Sequence, residues 1–220
     1  TINFKLSPSI LRQKLKYSHQ AFRMFNLVIF GGPGSGKGTQ SEKLIDRYGL
    51  THISTGQVLR DEIARGSELG KIADSYISHG NLIPDELMVR ILADLVDRLM
   101  PTSKGFIFDG FPRTIPQAEE LKKMLDKRGA KVDAVVGLEV PDDELTVRLI
   151  NRGKVSGRAD DNEETIRQRL AVYHDTTSPL RDFYVRDGSY LPIHGLGTID
   201  EIFSRITQAI DKCQEPIAKA

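Results

Sequence analysis

Phe25-Asn26-Leu27-Val28-Ile29-Phe30-Gly31-Gly32-Pro33-Gly34-Ser35-Gly36-Lys37-Gly38-Thr39 decides the fold. Its first six residues, mostly β-branched or aromatic, predict a buried strand. Gly31, Gly32, Gly34, Gly36 and Gly38 then let the backbone turn sharply. Beyond Gly36, the residues Leu44, Ile45 and Tyr48 share one helical face, which Gly49 ends. A strand, a glycine loop and a helix start together make an anion site. No side chain blocks approach to the loop N–H groups, and they lie at the positive end of the helix.

Lys37 stands where an ammonium reaches the outer phosphates of a nucleotide. The spacing Gly31-x-x-x-x-Gly36-Lys37, between strand and helix, points to phosphate binding rather than to a plain connecting turn. It departs from the general P-loop at one place. Gly38 follows the lysine, and Thr39 comes only after it, so the usual hydroxyl is missing from the magnesium position.

Outward from this loop, short apolar runs alternate with helical periodicity. Thr51–Ser54 reads as a short strand and is followed by two short helices that stop at Gly80. Pro84 opens a long helix with Met88, Ile91, Leu92, Leu95, Val96 and Leu99 on one face. Gly105–Phe108 is a second buried strand ending at Asp109, and a helix through Leu121 and Leu125 ends at Gly129. Residues 132–140 predict a third strand and 142–152 a helix. Asp161 or Asn162 caps a helix carrying Ile166, Leu170 and Tyr173. Tyr190–Ile193 is the last strand, and Ile199 to Ile210 the closing helix. Apolar strands alternating with helices imply a parallel sheet covered on both faces, with the ligand at the carboxyl ends of the strands. Residues 54–83 read as a small appended lobe, and 151–161, poor in apolar residues, as a mobile surface loop.

The 220 residues suffice for one domain with a sizeable core. Net charge is +1, but Lys5, Arg12, Lys14, Lys16 and Arg23 stand in an acid-free stretch, leaving 26 bases against 30 acids in the remainder. That balance does not suit nucleic-acid binding. The single Cys213 excludes an internal disulfide and a cysteine zinc site, and fits a reducing, cytoplasmic setting. No apolar run approaches the ~18 residues of a membrane span. Residues 1–23 read as an extension outside the fold. Met24 is the expected natural start, and the rival reading is a targeting segment.

Phosphoryl transfer spreads charge over several oxygens, and planar guanidinium forks match them. Arg60, Arg113, Arg148, Arg152, Arg158 and Arg169 are the candidates. Asp109, after an apolar strand, stands where a carboxylate can hold magnesium through water, or simply starts a turn. The five histidines show no metal spacing, and His52, His174 and His194 read as packing or hydrogen-bonding residues. No serine or threonine has partners for a nucleophilic triad.

Four linked motifs resemble the adenylate kinases: Gly31–Gln40, Ser54-Thr55-Gly56, Asp109–Thr114 and Ser156–Thr165. The resemblance runs in order from Met24 to about Gln214, leaving residues 215–220 as a tail. It implies a P-loop NTPase-type α/β fold of three layers, with a five-stranded parallel sheet and helices on both faces. It also implies an AMP-binding lobe at 54–83, a short lid at 151–161, and a monomer. The implied reaction is ATP + AMP = 2 ADP with Mg²⁺ and without zinc.

Carried over position by position, Gly34, Ser35, Gly36, Lys37, Gly38 and Thr39 would hold the ATP phosphates, with Arg148 and Gly197 on the ATP side. Thr55, Arg60, Asn81, Leu82, Ile83, Gly110, Phe111, Pro112, Arg113 and Gln117 would form the AMP pocket. Arg158 and Arg169 would clamp phosphates, and Asp109 would anchor magnesium through water. Gln57 departs from the family, which usually has Asp after Ser-Thr-Gly. The UMP/CMP kinases are the nearest alternative. Thr55 and the run Thr114-Ile115-Pro116-Gln117 favour AMP over them.

Overall fold

The computed structural model describes residues 24–156 and 158–214. The N-terminal extension, Gly157 and the tail at 215–220 lie outside the described residues. Five parallel strands form one sheet: β1 (Leu27–Gly31), β2 (Thr51–Ser54), β3 (Phe106–Asp109), β4 (Ala134–Glu139) and β5 (Tyr190–His194), in the order β2-β3-β1-β4-β5. The strand carrying the glycine loop is therefore central, between β3 and β4. Its register sets Ile29 beside Asp109 and Gly31 beside Leu138.

Nine α-helices surround the sheet among the described residues: α1 (Lys37–Tyr48), α2 (Thr55–Ala64), α3 (Glu68–Ile77), α4 (Asp85–Leu99), α5 (Ile115–Asp126), α6 (Asp142–Ser156), α7 (Glu163–Val172), α8 (Leu180–Arg186) and α9 (Ile199–Gln214). Alternation along β1 divides the core. Val28 and Phe30 face a cluster with Leu92, Val96, Leu121 and Leu125 of α4 and α5. Leu27 and Ile29 face Leu44 of α1 and Ile202, Ile206 and Ile210 of α9. Both faces are covered, which is why β1 and β3 read as continuous apolar runs.

Local chemistry sets the helix ends. Gly49 stops α1 in the left-handed conformation at φ 64°. Ser54, Ser67, Thr114 and Asn162 each accept an N-cap hydrogen bond for α2, α3, α5 and α7. Three boundaries differ from the sequence expectation. The helix expected to end at Arg152 continues to Ser156, and Ala159–Asp161 forms a short 3-10 turn, so much of the stretch expected as a surface loop is helical. The strand expected over 132–140 is confined to Ala134–Glu139. Tyr173 leaves α7 and begins a wide π-turn, Tyr173–Thr177, that leads into the unforeseen α8.

Candidate active site

The carboxyl ends of β1, β2 and β3 converge on a cleft of about 760 Å³, and a second recess of about 80 Å³ shares part of its lining. The glycine loop forms one wall. Gly36, at φ 96°, is the N-cap of α1, and a Cβ there would meet nothing within 4 Å. The bend requires a glycine, and the space above it is open. Lys37 Nζ donates to the carbonyls of Gly31 (2.8 Å) and Gly32 (2.9 Å), which leaves its third N–H for a ligand. Burial lowers the Lys37 pKa to about 8. Asp109 works against that shift, while Arg113, Arg169 and Arg152 add to it.

Asp109 ends β3, buried, and its Oδ2 lies 4.0 Å from where a Gly38 Cβ would stand. Burial pushes its pKa up, but His52, Lys37 and Arg113 outweigh that and hold the carboxyl below its ordinary value. His52 Nε2, on the neighbouring strand β2, lies 3.5 Å from Asp109 Oδ2.

The turn after β3 builds the second wall. Gly110 O accepts from Arg113 Nε (2.8 Å) and from Thr55 Oγ1 (2.9 Å), tying the start of α2 to the end of β3. Burial and the neighbouring Arg169 both lower the Arg113 pKa from its ordinary value. A guanidinium kept dry beside another cation is a site for polyanions.

Across the cleft, Asp161 accepts two hydrogen bonds from Arg152 (2.7 and 2.8 Å) and one from Arg169 (2.7 Å). Arg169 also pairs with Asp160 at 2.9 Å. Burial lowers the pKa of Arg60 and of Arg158, and the charge of Arg158 adds to the effect at Arg60. Four basic side chains on three elements and a loop therefore surround one void.

The smaller recess is lined by Thr55, Leu59, Asn81, Ile83, Met88 and Gln117, among others. Arg60, Leu82, Gly110, Arg113 and Arg169 line both spaces. Pro112, Arg148, Arg158 and Gly197 line the larger one. Phe111 is different: it is buried in the core and lines neither. Its place in the motif serves packing under the turn.

Residues 29–189 match the family model described as adenylate kinase. The chain is 64% identical over 189 residues to the adenylate kinase of Bacteroides thetaiotaomicron, covering 86% of this chain and 100% of that protein. It is 60% identical to the adenylate kinase of Phocaeicola vulgatus over the same shares. Identity to the adenylate kinase of Porphyromonas gingivalis is 56%, over 97% of that protein. The chain belongs to the adenylate kinase family.

Membership makes this chain a nucleoside monophosphate kinase, a phosphotransferase, and does not favour the UMP/CMP alternative. Adenylate kinases work on Mg-ATP, and the donor set here suits that ion. Asp109 brings a hard carboxylate to the same cleft as the phosphate loop, and magnesium takes few protein ligands while keeping waters and phosphate oxygens. No cluster of three or more His, Cys, Asp or Glu stands ready for a metal among the described residues. An ion held mainly by nucleotide and water needs none. Nor is any described helix long and apolar enough to cross a membrane.

Gln57, in place of the usual Asp of these kinases, has a visible task. Its Oε1 accepts from Arg60 (3.0 Å) and its Nε2 donates to Asp61 (2.7 Å), so it steadies an arginine of the cleft. Sequence reasoning left two neighbours of the site unassigned. Arg152 was only one arginine among several, because its partner Asp161 lies nine residues on. His52 carried no motif, and only the pairing of β2 with β3 brings it to Asp109.

Proposed function

We propose that this chain catalyses reversible transfer of the γ-phosphoryl group of ATP to AMP, giving two ADP. The observation that carries the reading is the doubled site: a phosphate loop with Lys37, and a separate recess under Thr55 and Gln117, joined at Arg113 and Arg169. A simple nucleotide hydrolase has no use for the second compartment.

In this reading, residues Gly34–Thr39 wrap the ATP phosphates, and the free N–H of Lys37 reaches the transferring group. Arg148 and Gly197 border the ATP base. Thr55, Arg60, Asn81, Leu82, Ile83, Gly110, Pro112, Arg113 and Gln117 receive AMP. Asp109 would hold Mg²⁺ through water, and the bound ion would supply neutralisation of phosphate charge. A phosphate oxygen of AMP attacks the γ-phosphorus in line as the bond to the ADP bridging oxygen breaks. That oxygen is already anionic, so no general base is required. Arg113, Arg158 and Arg169 take up charge that spreads over the equatorial oxygens. Water is the competing nucleophile, and closure of 54–83 and 151–161 over the sheet would exclude it. Gly80 and Gly153 are the candidate hinges within the described residues. Gly153 lies inside α6, so bending there means opening a helical turn.

We take the active form to be a monomer in the cytoplasm, a setting that suits the free, exposed Cys213. Coupled assays with ATP and AMP, UMP or CMP as acceptor test the reading. Turnover with AMP far above the two pyrimidine nucleotides is expected, and equal or greater turnover with CMP would reject it.

A further inference from the structure

Gln117 is 2% exposed, and half of its hydrogen-bonding capacity is spent inside the protein. Its Nε2 donates to Asp85 Oδ1 at 2.7 Å, and its Oε1 accepts from the backbone N–H of Arg113 at 2.8 Å. Asp85 stands in the first turn of α4, and its Oδ2 accepts from the Thr114 hydroxyl, also at 2.7 Å. Thr114 Oγ1 in turn accepts from Gln117 N–H at 3.2 Å, as the N-cap of α5.

Chemistry decides which way this amide points. A carboxylate only accepts, so it must face the NH₂ group. A backbone N–H only donates, so it must face the oxygen. Turning the amide by half a turn would set oxygen against oxygen and N–H against N–H, at two buried positions together. One N–H and one lone pair of Gln117 are left over in a residue that lines the small recess.

We propose that Asp85 is a positioning residue for base specificity: with the Arg113 N–H it locks the Gln117 amide in the one orientation that complements a 6-aminopurine. The free lone pair accepts from the adenine N6 amino group, and the free N–H donates to N1. A 6-oxopurine presents the reverse pattern, an acceptor at O6 and a donor at N1. It could be read only by the flipped amide, which Asp85 forbids. The inference rests on the reading that this recess receives the acceptor base.

The test measures kcat/KM for AMP and for IMP, with ATP as donor, in wild type, Gln117→Ala, Asp85→Ala, Asp85→Asn and Thr114→Val. Asp85→Ala is expected to lower the AMP-to-IMP ratio about tenfold, because one of the two restraints on the flip is gone. Asp85→Asn, whose amide can face Gln117 with either its oxygen or its NH₂, no longer forbids the flip and lowers the ratio in the same direction but by less. Thr114→Val loosens the same helix start and lowers stability without changing the ratio, as a merely structural role would. Should Asp85→Ala not fold, the near-isosteric Asp85→Leu carries the same expectation. An unchanged ratio in Gln117→Ala overturns the placement of the base in this recess. A changed ratio in Gln117→Ala with wild-type ratios in Asp85→Ala and Asp85→Leu overturns the lock alone.

Discussion

Arg152 and Asp161 form a two-pronged pair, Nε to Oδ2 at 2.7 Å and Nη2 to Oδ1 at 2.8 Å, with the Asp161 side chain wholly out of solvent. Arg169 shares the same carboxylate. One acid thus fixes two guanidiniums that face the cleft from different helices, α6 and α7.

Removing that acid leaves two cations without their counter-charge. Asp161→Ala is expected to lower stability by about 2 kcal/mol, less than for a fully buried pair because Arg152 is a third exposed. It should also lower kcat/KM about tenfold as the arginines lose their aim. Burial raises the Asp161 pKa, but Arg152 and Arg169 outweigh it, so the folded value lies below the ordinary 3.8. Its stabilising contribution is therefore complete above that pH and is lost as pH falls toward the depressed folded value. Acid unfolding followed by circular dichroism should be shallower in Asp161→Asn than in wild type over this range.

Lys37, with its pKa lowered to about 8, titrates within reach of assay conditions. In free enzyme the ammonium is lost above that pH, so kcat/KM for ATP should fall on the alkaline side near 8. Bound phosphates hold the proton, so kcat should stay flat to higher pH. Lys37→Arg keeps its charge and should abolish the alkaline fall at reduced activity, while Lys37→Met should lose more than a hundredfold. The direction for stability is the same as for Asp161, because both folded pKa values are lowered. Between about 8 and 10.5 the unfolded chain holds the proton that the folded chain has released, so this group favours folding more as pH rises there.

Arg113→Ala should lower kcat/KM by more than a hundredfold, as loss of a phosphate clamp does. Arg113→Lys should recover only part of that, because an ammonium cannot both donate to Gly110 O and offer a planar fork. Steady-state kinetics in both substrates checks it, and near-normal values for Arg113→Ala would remove Arg113 from the site.

The sheet and the glycine loop were legible because their causes are local. Apolar runs, glycine positions and capping residues lie within a few positions of what they determine. The arginine cluster was legible only as residue type. Which arginines meet depends on Asp160 and Asp161 and on how α6 and α7 pack, and no spacing encodes that. The helix through Ser156 was misread because Gly153 resembles a break. Here it lets the helix pass close to Asp161, whose O would lie 2.8 Å from an added Cβ. The π-turn Tyr173–Thr177 and α8 have no counterpart in the sequence reading, since the seven-residue helix after Pro179 is too short to show a clear helical periodicity. Phe111 looked like a ligand contact by its place in a motif, whereas burial makes it core.

Gly70 gives a stability prediction confined to the small lobe. A Cβ there would lie 2.1 Å from Glu62 O, because α2 and α3 touch through their backbones. Gly70→Ala must push these helices apart, at a cost of about 2 kcal/mol. Calorimetry should show melting lowered by several degrees. KM for AMP should rise more than KM for ATP.

A structure with a bisubstrate mimic, two adenosines joined through five phosphates, tests the central claim most directly. The predicted result is one ligand spanning both compartments. One adenosine should lie by Gly197, the phosphates should run past Lys37 to Arg113 and Arg169, and the second adenosine should sit in the recess of Thr55 and Gln117. A ligand that fails to bind, or that leaves either Lys37 or Arg113 untouched, would contradict the account.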